Sequence, residues 1–193
     1  KLVVLKAVGN AGLAAASFTD VLGICAQNPS SPLELRLAAI QAFRRIPCSA
    51  NREALMQLYS TSQEDVEVRI AAYLQLMRCP NPDLLHAVKA TLRNEISSQV
   101  GAFVWSHLTQ IQKTEDPLKQ PLMELLPDDI ISKEFEAESW KYSSYMDVTM
   151  DTGFGGANME GALVFSPSSL LPRSIMANLT VHILGRAFNL LEV

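Results

Sequence analysis

The sequence predicts an α+β chain: an α-solenoid of paired helices that gives way to antiparallel strands. Three observations predict it. Alanine-rich apolar helical segments recur as VVLKAVG near Val3, LRLAAIQAFRRIP from Leu35, VRIAAYLQLMRCP from Val68 and VGAFVWSHLTQI from Val100, with Ala39 and Ala72 offset by 33 residues and Tyr73 and Trp105 by 32. A period of that size, about two helices per unit, marks a solenoid. From Trp140 onward the apolar period falls to two, as in half-buried strands. Helix-start signals also sit where the repeat demands them. The helical region is predicted over 1–134 and the strand region over 135–193.

Helices are expected at about 1–9, 18–27, 32–46, 51–60, 64–78, 83–93, 96–112 and 117–126, four pairs in all. Ser31-Pro32-Leu33-Glu34 offers a capping serine, a proline at the first helical position and a glutamate three residues after the cap, the reciprocal capping box. Asn81-Pro82-Asp83 and Asp116-Pro117 repeat the theme of cap then proline, where the missing amide hydrogen costs little. Ala38, Ala39, Ala42, Ala71 and Ala72 allow helices to approach closely, while Ile40, Phe43, Ile70, Tyr73, Leu74 and Leu76 fill the core.

In the strand half, Tyr142, Met146, Val148 and Met150 share one face, and Ser143, Tyr145, Asp147, Thr149 and Asp151 share the other. GFGG at 153–156 turns the chain, and Met159, Leu163 and Phe165 fall together on the next strand. After the Ser166-Pro167 turn and LLPR, the segment 177–184 sets Leu179, Val181 and Ile183 against Asn178, Thr180 and His182. Three strands with one apolar face each predict an antiparallel sheet that covers something hydrophobic, either the solenoid or bound lipid.

Composition narrows the function. With 48% hydrophobic and 19% charged residues the 193-residue chain is core-forming, and a formal charge of −4 with scattered Lys and Arg argues against nucleic acid. No run of about eighteen consecutive apolar residues is present. The chain begins inside an expected helix and stops inside an expected strand, so it reads as a piece of a longer polypeptide. Cys25, Cys48 and Cys79 lack zinc or redox spacing; Cys48 and Cys79 follow corresponding helices, which fits either a disulfide between neighbouring units or two buried thiols.

GFGGANMEG opens no helix that could hold a pyrophosphate. Walker, zincin and nucleophile-elbow motifs are missing, and His86, His107 and His182 are dispersed. Asp128, Asp129, Glu134, Glu136 and Glu138 read as a solvated connection rather than a metal site. No enzyme, cofactor or metal is expected. Asn178-Leu179-Thr180 fits the N-glycosylation sequon.

LKAVGNAG at 5–12, AAIQAFRRIP at 38–47, RIAAYLQLMRCP at 69–80, VGAFVWSHL from Val100 and EGALVFSPSSLLPRS at 160–174 occur in this order. Together they resemble the large lipid transfer protein family, which comprises apolipoprotein B, the insect apolipophorins, the vitellogenins and the microsomal triglyceride transfer protein. RRIPCSANR and YLQLMRCP are most like the apolipoprotein B and apolipophorin branch. The resemblance implies a right-handed, HEAT-like superhelix followed by strands that begin a lipid-cavity sheet, with phospholipid and neutral lipid as cargo and no catalysis. Met146, Val148, Met150, Leu163, Phe165, Leu179, Val181 and Ile183 become candidate lipid-facing residues. The resemblance also implies secretion through the endoplasmic reticulum, and with it a Cys48–Cys79 disulfide and a glycan at Asn178. Further implied partners are the remaining domains of the same polypeptide and a cell-surface lipoprotein receptor or assembly factor. The alternative is an intracellular α-solenoid scaffold that binds other proteins.

Overall fold

The structure is a computed structural model that describes residues 1–114, 116, 119–135, 142–152, 155–166, 171–183 and 186–192. Pro117, Glu136, Glu138, Trp140, the Gly153-Phe154 half of the expected turn, Pro167 and Leu170 lie outside these. A helical region is followed by four antiparallel strands. Two compact units divide the chain, residues 1–80 and 81–193.

Unit 1 contains α1 (Leu2–Ala11), α2 (Thr19–Gln27), α3 (Leu33–Gln41), α4 (Glu53–Ser60) and α5 (Val66–Met77), with 3₁₀ turns at Gly12–Phe18 and Ala42–Arg45. Helices α1, α3 and α5 pack in one row, α2 on α4 in a second, and α2 on α3 and α4 on α5 join the rows. This two-row arrangement is what a repeat of about 33 residues requires. Alanines make it possible: Ala39, Ala42 and Ala72 are fully buried between helices, with Ile40, Phe43, Ile70, Tyr73 and Leu76 around them. Tyr59 and Tyr73 pack with tilted rings, centroids 5.3 Å apart. The stretch Leu2–Gln27 is long and apolar enough to cross a membrane by length and composition alone, with a mean hydropathy of 1.5 over an 18-residue window. Gly12, at φ 59°, ends α1 and turns the chain into the 3₁₀ segment, a conformation that favours glycine.

Arg36 and Arg69, 33 residues apart, are both buried and play the same part. Arg36 Nε donates to the Ala26 carbonyl at 2.7 Å and Arg69 Nε to the Tyr59 carbonyl at 2.9 Å. Each ties off the carbonyl end of the preceding helix, where backbone acceptors lack intrahelical donors. Arg36 also makes a bidentate pair with Glu64, 3.0 and 2.6 Å, which holds the Glu64 carboxyl below its usual range. The disulfide joins Cys48 to Cys79 with Cα atoms 5.3 Å apart, while Cys25 is free.

Of the three caps expected from the sequence, Asn81 forms, while Ser31 and Asp116 do not: the last helix begins only at Gln120, with Lys119 as its cap residue and no side-chain cap. Asp65, Asn81 and Ser97 side chains accept from first-turn amides of the helices they precede. The box predicted at Ser31 does not form: Pro32, with ψ 142°, is itself the cap residue, and no side chain caps the helix. The helix starts one residue late for Ser31 to reach its amides.

Unit 2 contains α6 (Pro82–Arg93), α7 (Ser98–Gln112), α8 (Gln120–Leu125), β1 (Ser144–Thr152), β2 (Gly155–Phe165), β3 (Pro172–Ile183) and β4 (Arg186–Glu192). The sheet has the order β1-β2-β3-β4, every pair antiparallel. α7 is its platform, packing on α6, α8, β1 and β2. A Cβ at Gly101 would lie 2.2 Å from the Phe135 ring, so the glycine lets that aromatic close over α7.

Candidate functional site

Register fixes which residues share a side of the sheet, because directly opposed residues point the same way. Val148, Met159, Leu179 and Leu191 form one row across all four strands, and Met150, Ala157, Val181 and Phe188 form the next. Met146, Gly161 and Ala177 lie on the same side, as do Leu163 with Ile175 and Gly155 with Ile183. The opposite side carries Tyr145, Asp147, Thr149, Asn158, Glu160, Asn178 and Thr180.

The polar side is the inner one. Tyr145 places its ring edge-on to His107 of α7, centroids 4.4 Å apart, and its backbone N–H donates to Ser106 Oγ at 2.9 Å. Gln99 Oε1 accepts from both the backbone N–H and the hydroxyl of Ser143 at 2.6 and 2.7 Å. Asp147 and Glu160 stand opposite one another across β1 and β2, a like-charge pair that would repel. Lys119 resolves it, bonding to Asp147 Oδ2 at 2.5 Å and to Glu160 Oε1. Tyr145 Oη and Asn178 Nδ2 donate to the two oxygens of Glu160 at 2.7 and 2.9 Å, and Asn158 Nδ2 donates to Asp147 Oδ1 at 2.6 Å.

Burial alone would raise the Glu160 carboxyl, but Lys119 and the other donors outweigh it and hold the group down to about 2. Burial likewise opposes charge on Lys119, yet its two carboxylates raise it. His107 is pushed down to about 3 by burial and by the Lys119 charge, against a smaller pull from Glu160. The imidazole is neutral at ordinary pH.

The apolar side is open. Met146, Val148, Met150 and Ile183, all expected to face lipid, are 39–60% exposed, and Leu163, Leu179 and Val181 lie on that side half-buried. Phe165 is a correction: it is 4% exposed. The register shifts between Val164 and Phe165, and the Phe165 backbone N–H donates to Ser143 Oγ, so the strand end turns into the core. Met159, Ile175, Phe188 and Leu191 add exposed apolar area to the open face. Ile175 directly follows LLPRS, which reads as a connection in the sequence, and Phe188 and Leu191 belong to the fourth strand.

Asn178 is half-buried on the polar side, with Nδ2 engaged by Glu160; a glycan there would take that donor out of the cluster. Among the described residues no group of three His, Cys, Asp or Glu side chains is placed to hold a metal ion.

Comparison with known proteins accords with this architecture. Residues 1–109 match the family model described as the vitellogenin TPR domain, and residues 141–193 match the vitellinogen open β-sheet. Apolipophorins of Locusta migratoria are 34% identical over 195 residues, covering 100% of this chain and 6% of the relative. Vitellogenin of Penaeus merguiensis is 32% identical over 177 residues, covering 90% of this chain and 7% of the relative. A solved structure of lipovitellin, concerned with its lipid–protein interactions, superposes with a TM-score of 0.77 at 21% identity, over 97% of this chain and 21% of that one. The chain thus spans a small part of the length of the relatives it matches.

Proposed function

This chain belongs to the large lipid transfer protein family, and from that premise we propose that its open sheet face is one wall of a compartment in which phospholipid and neutral lipid are carried. The observation that supports this reading best is the inversion of the sheet: its polar side is bound to α7 and Lys119, and its apolar side has no cover among the described residues. Fully burying a large apolar side chain is worth about 1.5–3 kcal/mol. Eight side chains near half exposure therefore offer on the order of 8 kcal/mol to whatever covers them.

Acyl chains answer that demand, since a sixteen-carbon chain gains about 12 kcal/mol at roughly 0.8 kcal/mol per methylene on leaving water. Sequestration needs no covalent step, so we assign no catalysis. Other parts of the same polypeptide would close the compartment, and a receptor or assembly factor would meet its exterior. The Cys48–Cys79 disulfide favours a secreted protein matured in the endoplasmic reticulum and disfavours the alternative of an intracellular scaffold. A glycan at Asn178 would have to be added before β3 pairs with β2.

The test is photolabelling of the full-length protein loaded with a diazirine-bearing phosphatidylcholine, together with lipid extraction. Labels are expected on Met146, Met150 and Met159, and Met150→Glu with Val181→Glu should lower the lipid recovered per protein. Lipid-free parent protein, or labels on Tyr145 and Thr149 instead, overturns the proposal.

A further inference from the structure

We propose that the loop edge of unit 1, built around Arg44, Arg45 and Arg78, is a docking rim for an acidic segment of a partner protein. Arg44 and Arg45 close the 3₁₀ turn after α3, and Arg78 follows α5. Arg45 and Arg78 are 33 residues apart, so successive repeats place a cation at the same position. Arg78 Nη1 donates to the Arg44 carbonyl at 3.3 Å, which seats its guanidinium on the peptide between the other two. Behind them the Cys48–Cys79 disulfide locks the two loops together.

Arg52 supports the rim from inside. Its Nη2 donates to the Ile46 carbonyl at 2.7 Å, and its guanidinium lies 5.6 Å from the Phe43 ring centroid. Burial, then the nearby charge of Arg78, lowers its pKa, which shows like charges crowded together. None of Arg44, Arg45, Arg52 and Arg78 has a carboxylate within 4.0 Å among the described residues. Arg52 and Arg78 thus repel one another with no counter-charge beside them among the described residues, and an incoming anion relieves that repulsion; Arg44 is held at the rim by Asn10, whose Oδ1 accepts from its Nη2 at 2.5 Å.

The chemistry of the rim selects the kind of anion. Guanidinium groups on a rigid edge suit carboxylates, which they bind through two parallel hydrogen bonds. The exposed neighbours Gln41, Ser49 and Asn51 add hydrogen-bonding side chains that suit a peptide. An acidic peptide fits it better than a membrane surface.

Full-length protein carrying Arg45→Gln and Arg78→Gln is compared with the parent for binding a fluorescein-labelled polyglutamate peptide by anisotropy, with phosphatidylserine vesicles as a second probe. The parent should bind the peptide, more weakly as salt rises, and the double variant should bind roughly tenfold more weakly. Lysine at both positions should restore only part of the loss. Arg45→Gln alone, an exposed change, serves if the double variant does not fold, and should give a smaller loss in the same direction. Equal binding by parent and variants overturns the proposal. So does a parent that fails to bind because another part of its own chain covers the rim, or a loss confined to vesicles.

Discussion

Replacing Lys119 with methionine tests whether the polar side of the sheet is truly its anchor. The substitution keeps most of the volume of the side chain and removes the charge that bonds both Asp147 and Glu160, whose side chains are 5% and 24% exposed. Glu160 sits at about 2 against a usual 4.5, and at about 1.4 kcal/mol per pH unit that difference corresponds to roughly 3 kcal/mol. Breaking a buried pair by removing one partner costs about 3–5 kcal/mol, which brackets the same figure. In the full-length protein, amide exchange of β1 and β2 should therefore accelerate by about a hundredfold, while exchange in α3 and α5 stays as it was. Glu160→Gln in the Lys119→Met background should recover part of the protection, because one of the stranded charges is gone. If Lys119→Met leaves exchange in β1 and β2 unchanged, the inner polar face is not what attaches the sheet.

Two further outcomes concern His107 and the disulfide. His107 is held at about 3 against a usual 6.5, so the folded state favours the neutral ring; its contribution is intact above pH 6.5 and is lost progressively as pH falls from there towards 3, about 2 kcal/mol by pH 5. Glu160 contributes fully above pH 4.5 and loses its contribution only as pH falls through about 2; denaturant midpoints between pH 7.5 and 5 should thus decline in the parent and flatten in His107→Phe, and an equal slope in both contradicts the assignment. Cys48→Ser with Cys79→Ser opens a loop closed over a separation of 31 residues, which should cost about 3.5 kcal/mol by loop entropy, read as a lower denaturant midpoint for unit 1; a shift below about 1 kcal/mol would show that packing of α3 and α5 already restrains the loops.

The helices were readable because alanine spacing, proline and caps are local signals, and all eight expected helices appear within a few residues of their bounds. The strand faces were readable too, since alternation sorts Met146, Val148 and Met150 from Tyr145, Asp147 and Thr149 without any knowledge of partners. What alternation does not carry is which side is inside. That is decided by Gln99, Ser106, His107 and Lys119, which lie 28–44 residues before their strand partners. Phe165 follows the alternation and escapes it through a register shift that no residue type announces. The pairing of Arg36 and Arg69 has a sequence signal in the 33-residue offset, but a lone arginine in an apolar helix reads as surface until its carbonyl partner is seen.

A sheet anchored by its polar side has a physical rationale beyond leaving the other side free. Buried ion pairs are often no more stabilising than apolar residues of the same volume, so stability alone does not explain Lys119, Asp147 and Glu160. Specificity does. If both sides of β1 and β2 were apolar, slipping β1 by one residue would exchange its sides at little cost, because the strand period is two. With Asp147 opposite Glu160 and Lys119 between them, the same slip would place Met146 and Val148 against the charged cluster and turn Asp147 towards the apolar side, stranding charges on both. The cluster therefore fixes which side of the sheet is held inward and which is left open, and it does so with contacts that lie wholly on the inward side.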